Sequence, residues 1–231
     1  MNIKRYSVFL IILILFSCGN EKKVLLPEIE QSKITEVLDV SPAYLFYDET
    51  QPDSIELNRK NLIGTTNWLF NVDKRLTLEQ AIPKIKFLQN KKRNAQMHTN
   101  ENAKNYFTCN NTSIQNLGFI EFTNVFYQNK SLRDFFEYNK RPEKMSVALN
   151  AFSSTDFSLE SYHQDISNTD VYSTIEDAIS KIEAYFKSEQ DFKLYLLYSS
   201  TLSFQDYITI KSKIESLKEI GVPVEHNEFI Y

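Results

Sequence analysis

The sequence predicts an α+β protein built from two small αβ sandwich-like halves, each a sheet with helices on one face, behind an N-terminal signal segment. Three observations predict it. First, a hydrophobic content of 42% and an aromatic content of 13%, with 26 basic against 30 acidic side chains, suit a folded chain. Second, short runs of β-branched and aromatic residues alternate with stretches of helical period. Third, one of the helical stretches is echoed by another later in the chain. A length of 231 residues allows one moderate domain or two small ones.

At the N-terminus, Lys4 and Arg5 precede an apolar stretch over residues 8–16, and Ser17, Cys18, Gly19 and Asn20 follow. A basic head with a short apolar core is a secretory signal. The core falls well short of the roughly 20 residues that a membrane-spanning helix needs. The run Leu15-Phe16-Ser17-Cys18 resembles the bacterial lipobox. The resemblance implies a signal peptide over 1–17, removal of that peptide, and lipidation of Cys18 as the first residue of the mature chain. Several acyl chains would anchor it, each buried CH₂ contributing about 0.8 kcal/mol. Residues 18–31 show little periodicity and read as a lipidated tether. Gly19 and Asn20 lack the Asp that retains lipoproteins at the inner membrane, which favours the outer membrane.

The first αβ domain is expected over 32–128. Residues 31–38 carry a helical hint, and strands are expected over 43–47, 54–57 and 67–72. A helix follows from Thr77, which has capping-box spacing to Gln80. Leu78, Ile82, Ile85 and Leu88, with Phe87, form its apolar stripe, and Pro83 lies inside it. Residues 90–105, rich in Lys and Asn, read as a surface loop or frayed helix end. Strands over 106–109 and 119–127 close the half. The charged segment 128–144 holds a short helix over 131–138, with Leu132, Phe135 and Phe136 on one face.

The second αβ domain is expected over 145–231. Residues 147–152 form a strand and 157–161 its hairpin partner. A helix runs from Ser173 or Thr174 to Ser188 with Ile175, Ile179, Ile182 and Phe186 inward. The continuous apolar run 193–198 reads as a central strand. A second helix starts at Ser203, buries Phe204, Ile208, Ile214 and Leu217, and stops at Gly221 before Pro223. Residues 224–231 form the last strand. Residues 77–86 and 174–183 match at six of ten positions. Duplication of one unit explains this, and so does convergence of two capped amphipathic helices.

The segment from Leu194 to Asp206, running on to Gly221 and Val222, resembles the periplasmic domain of the ExbD/TolR family of biopolymer-transport proteins. The resemblance implies a buried strand, a polar turn, a helix, a Gly-containing turn and an edge strand. It also implies a periplasmic role beside such a transport system. The family's strand ends in an acidic residue where Ser199 stands here. The family's proton-coupling Asp lies in a membrane helix, and this chain has no Asp before Asp39. An accessory, partner-binding element is therefore expected and not a motor subunit.

Catalytic chemistry finds little support. The chain has four glycines where about sixteen are usual, and no two form a phosphate-cradling loop. The charge balance offers no basic surface for nucleic acid. His98, His163 and His226 form no zinc pattern. His226 could gather a weak metal site with Glu225 and Glu228, although a solvated strand end is the plainer account. Cys109 reads as a buried, inert thiol. Asp73, Lys74 and Arg75 follow a strand end, where α/β proteins place functional side chains, but a charged turn before a helix cap is preferred. No catalytic, cofactor-binding or metal residue is therefore expected. The expected function is a membrane-anchored, non-enzymatic envelope lipoprotein that binds a protein partner. A small-molecule or glycan-binding lipoprotein is the alternative. An open sheet edge would favour the former, and a deep aromatic-lined pocket the latter.

Overall fold

The computed structural model describes residues 22–97, 99–139, 145–163, 166–188 and 192–231. These form twelve strands and four helices in two six-stranded sheets. The signal peptide, Cys18 and His98 lie outside the described residues, and so does the side chain of His163.

Sheet 1 holds β1 (Glu28–Ile29), β2 (Val40–Tyr47), β3 (Ile55–Asn58), β4 (Asn67–Val72), β5 (Asn105–Asn111) and β6 (Asn116–Glu121). Strands β2, β4 and β5 are parallel neighbours. Strand β3 pairs antiparallel with β2, and β6 with β5. Sheet 2 runs in the order β10-β9-β8-β11-β12-β7. Its strands are β7 (Phe126–Gln128), β8 (Met145–Ser153), β9 (Asp156–His163), β10 (Ile166–Tyr172), β11 (Phe192–Tyr198) and β12 (Val224–Ile230). Strand β11 is central, as its unbroken apolar run predicts.

Helix α1 (Leu78–Arg93) starts at a complete capping box: Gln80 N–H donates to Thr77 Oγ1, and Thr77 N–H donates to Gln80 Oε1. Helix α4 (Phe204–Glu219) is capped by Ser203. It stops where Gly221 takes φ +93 and Val222 N–H donates to the Leu217 carbonyl. Helix α3 (Ile175–Ser188) buries Ile175, Ala178, Ile179 and Ile182. Helix α2 (Leu132–Asn139) lies on the other side of sheet 2, where Leu132, Phe135 and Phe136 meet Ala148, Tyr195 and Phe229. One continuous core joins both sheets through α1, α3 and α4. At its centre the Phe107 ring of β5 meets Phe204 at 5.3 Å and Tyr207 at 6.1 Å.

The structure departs from the sequence reading in several places; Phe87, expected on the apolar stripe of α1, is exposed under the Arg59 guanidinium. Residues 31–38 form no helix; they run irregularly beside β6, held where Ser32 Oγ donates to the Phe119 carbonyl. The expected strand 119–127 breaks at Phe122–Val125, and its two pieces join different sheets, because Gln89 of α1 caps the carbonyls of Phe122 and Val125. Strand β10 was not expected, since its residues are mostly polar and alternate weakly. The last strand is not an edge, because β7 pairs beyond it. Finally, residues 22–31, read as tether, are fastened to the fold and contribute β1.

The internal similarity also has a different register. Helix α1 links the parallel neighbours β4 and β5, and α4 links the parallel neighbours β11 and β12. Helix α3 instead leads from the edge strand β10 into β11. The topological counterpart of α1 is therefore α4. The match between residues 77–86 and 174–183 reflects two capped amphipathic helices.

Candidate functional site

The two strand–turn–helix units, β4–α1 and β11–α4, meet in a reciprocal arrangement. Leu78 N–H donates to Leu202 O at 2.9 Å, and Phe204 N–H to Leu76 O at 2.7 Å. Glu79 N–H donates to Ser200 O at 2.9 Å, and Gln205 N–H to Lys74 O at 3.2 Å. Each turn thus satisfies N–H groups at the start of the other helix, which have no partner within their own helix. Residues 73–79 correspond one to one with 199–205. In both turns the leucine is buried (Leu76, Leu202) and a hydroxyl residue caps the helix (Thr77, Ser203).

Asp73 opens the first turn and is fully buried. Its Oδ1 accepts from Arg75 N (3.1 Å) and Arg75 Nε (2.9 Å), and its Oδ2 from Leu25 N (3.1 Å) and Arg75 Nη2 (2.8 Å). Burial pushes this carboxyl up, but the Arg75 guanidinium and the backbone donors outweigh it and hold it below the usual carboxylate range. Both oxygens are committed to protein donors. The group clamps residues 22–31 to the fold, in keeping with the charged-turn reading. At the corresponding position the Ser199 hydroxyl meets Thr201, pairing with its Oγ1 and accepting from its N–H.

A second polar cluster lies inside the core. Lys211 of α4 and Glu228 of β12 form an ion pair with side chains 2% and 3% exposed. Tyr207 Oη donates to Glu228 Oε2 at 2.6 Å and lies 3.1 Å from Tyr127 Oη of β7. Burial, with the Glu228 charge beside them, raises Tyr127, Tyr198 and Tyr207 well above the ordinary phenol range. Among the described residues, Tyr198 Oη has no hydrogen-bond partner. This network joins β7, α4 and β12 and is closed to solvent.

The other sequence candidates do not converge. His226 is exposed, while Glu228 points inward to Lys211 and Glu225 pairs with Lys193. Among the described residues, no group of three potential metal ligands forms. Cys109 is fully buried, and burial pushes its thiol far up, which makes it unreactive. Of the aromatics in 119–127, Phe119, Phe122 and Tyr127 fill the interior. Phe126 is exposed, with the Arg93 guanidinium 4.2 Å from its ring centre.

The sheet edges differ in how they are covered. Strand β3 has four residues and β7 three, and β6 carries the 32–34 segment along its outer side. Strand β10 has seven residues, and among the described residues nothing pairs with its outer side. His163 pairs with Ile166 across a two-residue connection, and such a closing pair is hydrogen-bonded. Ser167, Thr169 and Val171 therefore turn their N–H and C=O groups outward. Val171 is 72% exposed, and Asn168 and Thr169 are exposed beside it. Long uncovered edges are what proteins usually blunt, so this one is a ready template for strand addition. The surface clefts, by contrast, are broad and open, with volumes of about 380 to 590 Å³. The one beside α2 is lined by Leu132, Arg133, Phe136, Glu137 and Tyr162.

No protein-family model matches the chain, and no curated protein does. Among solved structures, it is similar to a Bacteroides thetaiotaomicron protein with an actin-like ATPase fold and unknown function. Identity is 12%, coverage is 87% of this chain and 94% of that one, and the TM-score is 0.28, too low to assign a shared fold. No helix among the described residues is long and apolar enough to cross a membrane.

Proposed function

We propose that this protein is a non-enzymatic lipoprotein of the bacterial cell envelope, anchored through Cys18, that binds a protein partner by accepting an extended segment on β10. The observation that carries partner binding is the uncovered seven-residue edge of sheet 2. Backbone pairing along it would give affinity, and the exposed Thr169 and Val171 would give selectivity. The basic head, short apolar core and Cys18 support the anchor, and Gly19-Asn20 supports the outer membrane. Open clefts favour a protein partner over the enclosed small-molecule or glycan site of the alternative reading. An ExbD-type transport component is the first partner class to test.

The test is affinity purification of the tagged protein from detergent-solubilised membranes, beside a Thr169→Pro variant. Proline removes an outward N–H that the sheet itself does not use. The expected result is one envelope protein recovered with the parent, its recovery falling roughly tenfold, about 1.4 kcal/mol, with Thr169→Pro at unchanged stability. Recovery of the parent alone, or equal recovery with both, would overturn the proposal.

A further inference from the structure

Only four peptide steps separate Cys18 from Lys22. At roughly 3.3–3.6 Å per residue, those steps reach no further than about 14 Å. Lys22 and the residues after it are bonded to the fold. Lys22 Nζ donates to Asp48 Oδ2 at 2.7 Å and also pairs with Glu56. Leu25 N–H is held by Asp73, and Lys74 N–H donates to Leu25 O at 2.7 Å. Asn110 N–H donates to Pro27 O at 2.8 Å, just before β1 pairs with β5.

The contacts of Lys22 place the strap beside one face of sheet 1. Glu56 lies directly across from Phe46 in the β2–β3 pair, and facing residues share a side of the sheet. That side is the outer face of sheet 1. Ala43 and Leu45 point into the core, so Tyr44 and Phe46 point out, their rings stacked at 5.7 Å and half-buried. Leu69 of β4 lies on the same face, its Cα partnered with Pro42. Sheet 2 has α2 on its outer face, but none of the four helices lies over this one. Aromatic side chains with a polar rim suit the headgroup level of a bilayer.

We infer that the outer face of sheet 1, around Tyr44 and Phe46, rests on the phospholipid headgroup layer, drawn there by the short connection to a lipidated Cys18. The inference rests on the lipoprotein reading. It leaves β10, on the other sheet, free for a partner.

Its test uses full-length protein reconstituted from membranes into phosphatidylcholine vesicles carrying a headgroup-linked quencher. A fluorophore is placed at Asn58→Cys, on the outer face of sheet 1, or at Ser180→Cys, on the exposed side of α3. Cys109 is buried and does not compete for the label. The expected result is quenching at position 58 and none at 180. A long Gly-Ser insertion between Asn20 and Glu21 should abolish that difference while leaving the protein in the membrane. Acyl labelling of the same samples separates the failures. A lipidated protein with equal quenching at both positions would overturn this inference and leave the lipoprotein reading standing. A protein without acyl chains would overturn both.

Discussion

The two strand–turn–helix units share a backbone plan but fill it with different chemistry. In the first, α1 presents Ala81 and Ile85 to the core; in the second, the corresponding residues of α4 are Tyr207 and Lys211. The first unit places its buried charge in the turn, at Asp73. The second places Ser199 in its turn and buries its charge on the helix, as Lys211 paired with Glu228. Each buried charge serves a segment that comes from outside its own unit. Asp73 and Arg75 hold the strap that leads to the N-terminus, and the Lys211–Glu228–Tyr207 network receives Tyr127 of β7, which precedes the second half in sequence. A buried ion pair costs several kcal/mol in lost hydration per ion, and removing one partner leaves the other charge uncompensated.

Breaking one partner of the core pair should have the largest effect. Lys211→Met leaves Glu228 buried without a counter-charge and should cost about 3–5 kcal/mol. The double variant Lys211→Met with Glu228→Leu should recover most of that loss, which chemical denaturation of the three proteins measures. A double variant as unstable as the single one would show that the network supports stability itself.

The turn clamp should come next. Asp73→Ala strips partners from Leu25 N–H and from Arg75 and should cost about 1–3 kcal/mol. Ser199→Ala at the corresponding position should stay within about 0.5 kcal/mol. Equal losses at the two positions would remove the contrast between the units. Asp73 also gives the first unit a pH dependence. Its folded-state pKa lies below the unfolded value of about 3.9, so the unfolded chain binds more protons in that window. The stability it contributes is full above pH of about 5 and is lost as pH falls through the folded value. Asp48, held below its ordinary range by Lys22 and Thr50, acts in the same direction. Denaturation midpoints of the parent and of Asp73→Asn between pH 6 and 3 should converge as pH falls, a range set by the same unfolded value of roughly 3.9.

Losses smaller than that at Asp73 should appear at the caps. Thr77→Ala and Ser203→Ala remove equivalent N-cap acceptors and should each cost about 0.5–2 kcal/mol. Thermal melts of the two variants compare them directly.

Much of the fold was legible where local signals agree. The cap at Thr77, the stop at Gly221 and the unbroken apolar run of β11 each follow from their own residues. What failed was long-range. Residues 119–127 read as one strand because nothing in them reports that Gln89 turns the chain between sheets. Residues 22–31 look like a linker, since two residues of strand and a hydrogen bond to a distant Asp leave no periodic trace. The correspondence of Leu76-Thr77-Leu78 with Leu202-Ser203-Phe204 was present in the sequence but hidden by the stronger identity between α1 and α3. Lys211 could have been noticed, because it falls on the inward stripe of α4 between Ile208 and Ile214. The open edge of β10 was not legible, as its polar residues look like a loop until β9 fixes their register.

The proposed envelope role depends on a lipid at Cys18 held close to a folded domain. The most direct measurement is intact and peptide mass spectrometry of the mature N-terminus, taken from protein purified out of membranes. The expected result is a chain that begins at Cys18 and carries acyl chains. A chain that begins elsewhere, or an unmodified Cys18, would contradict it.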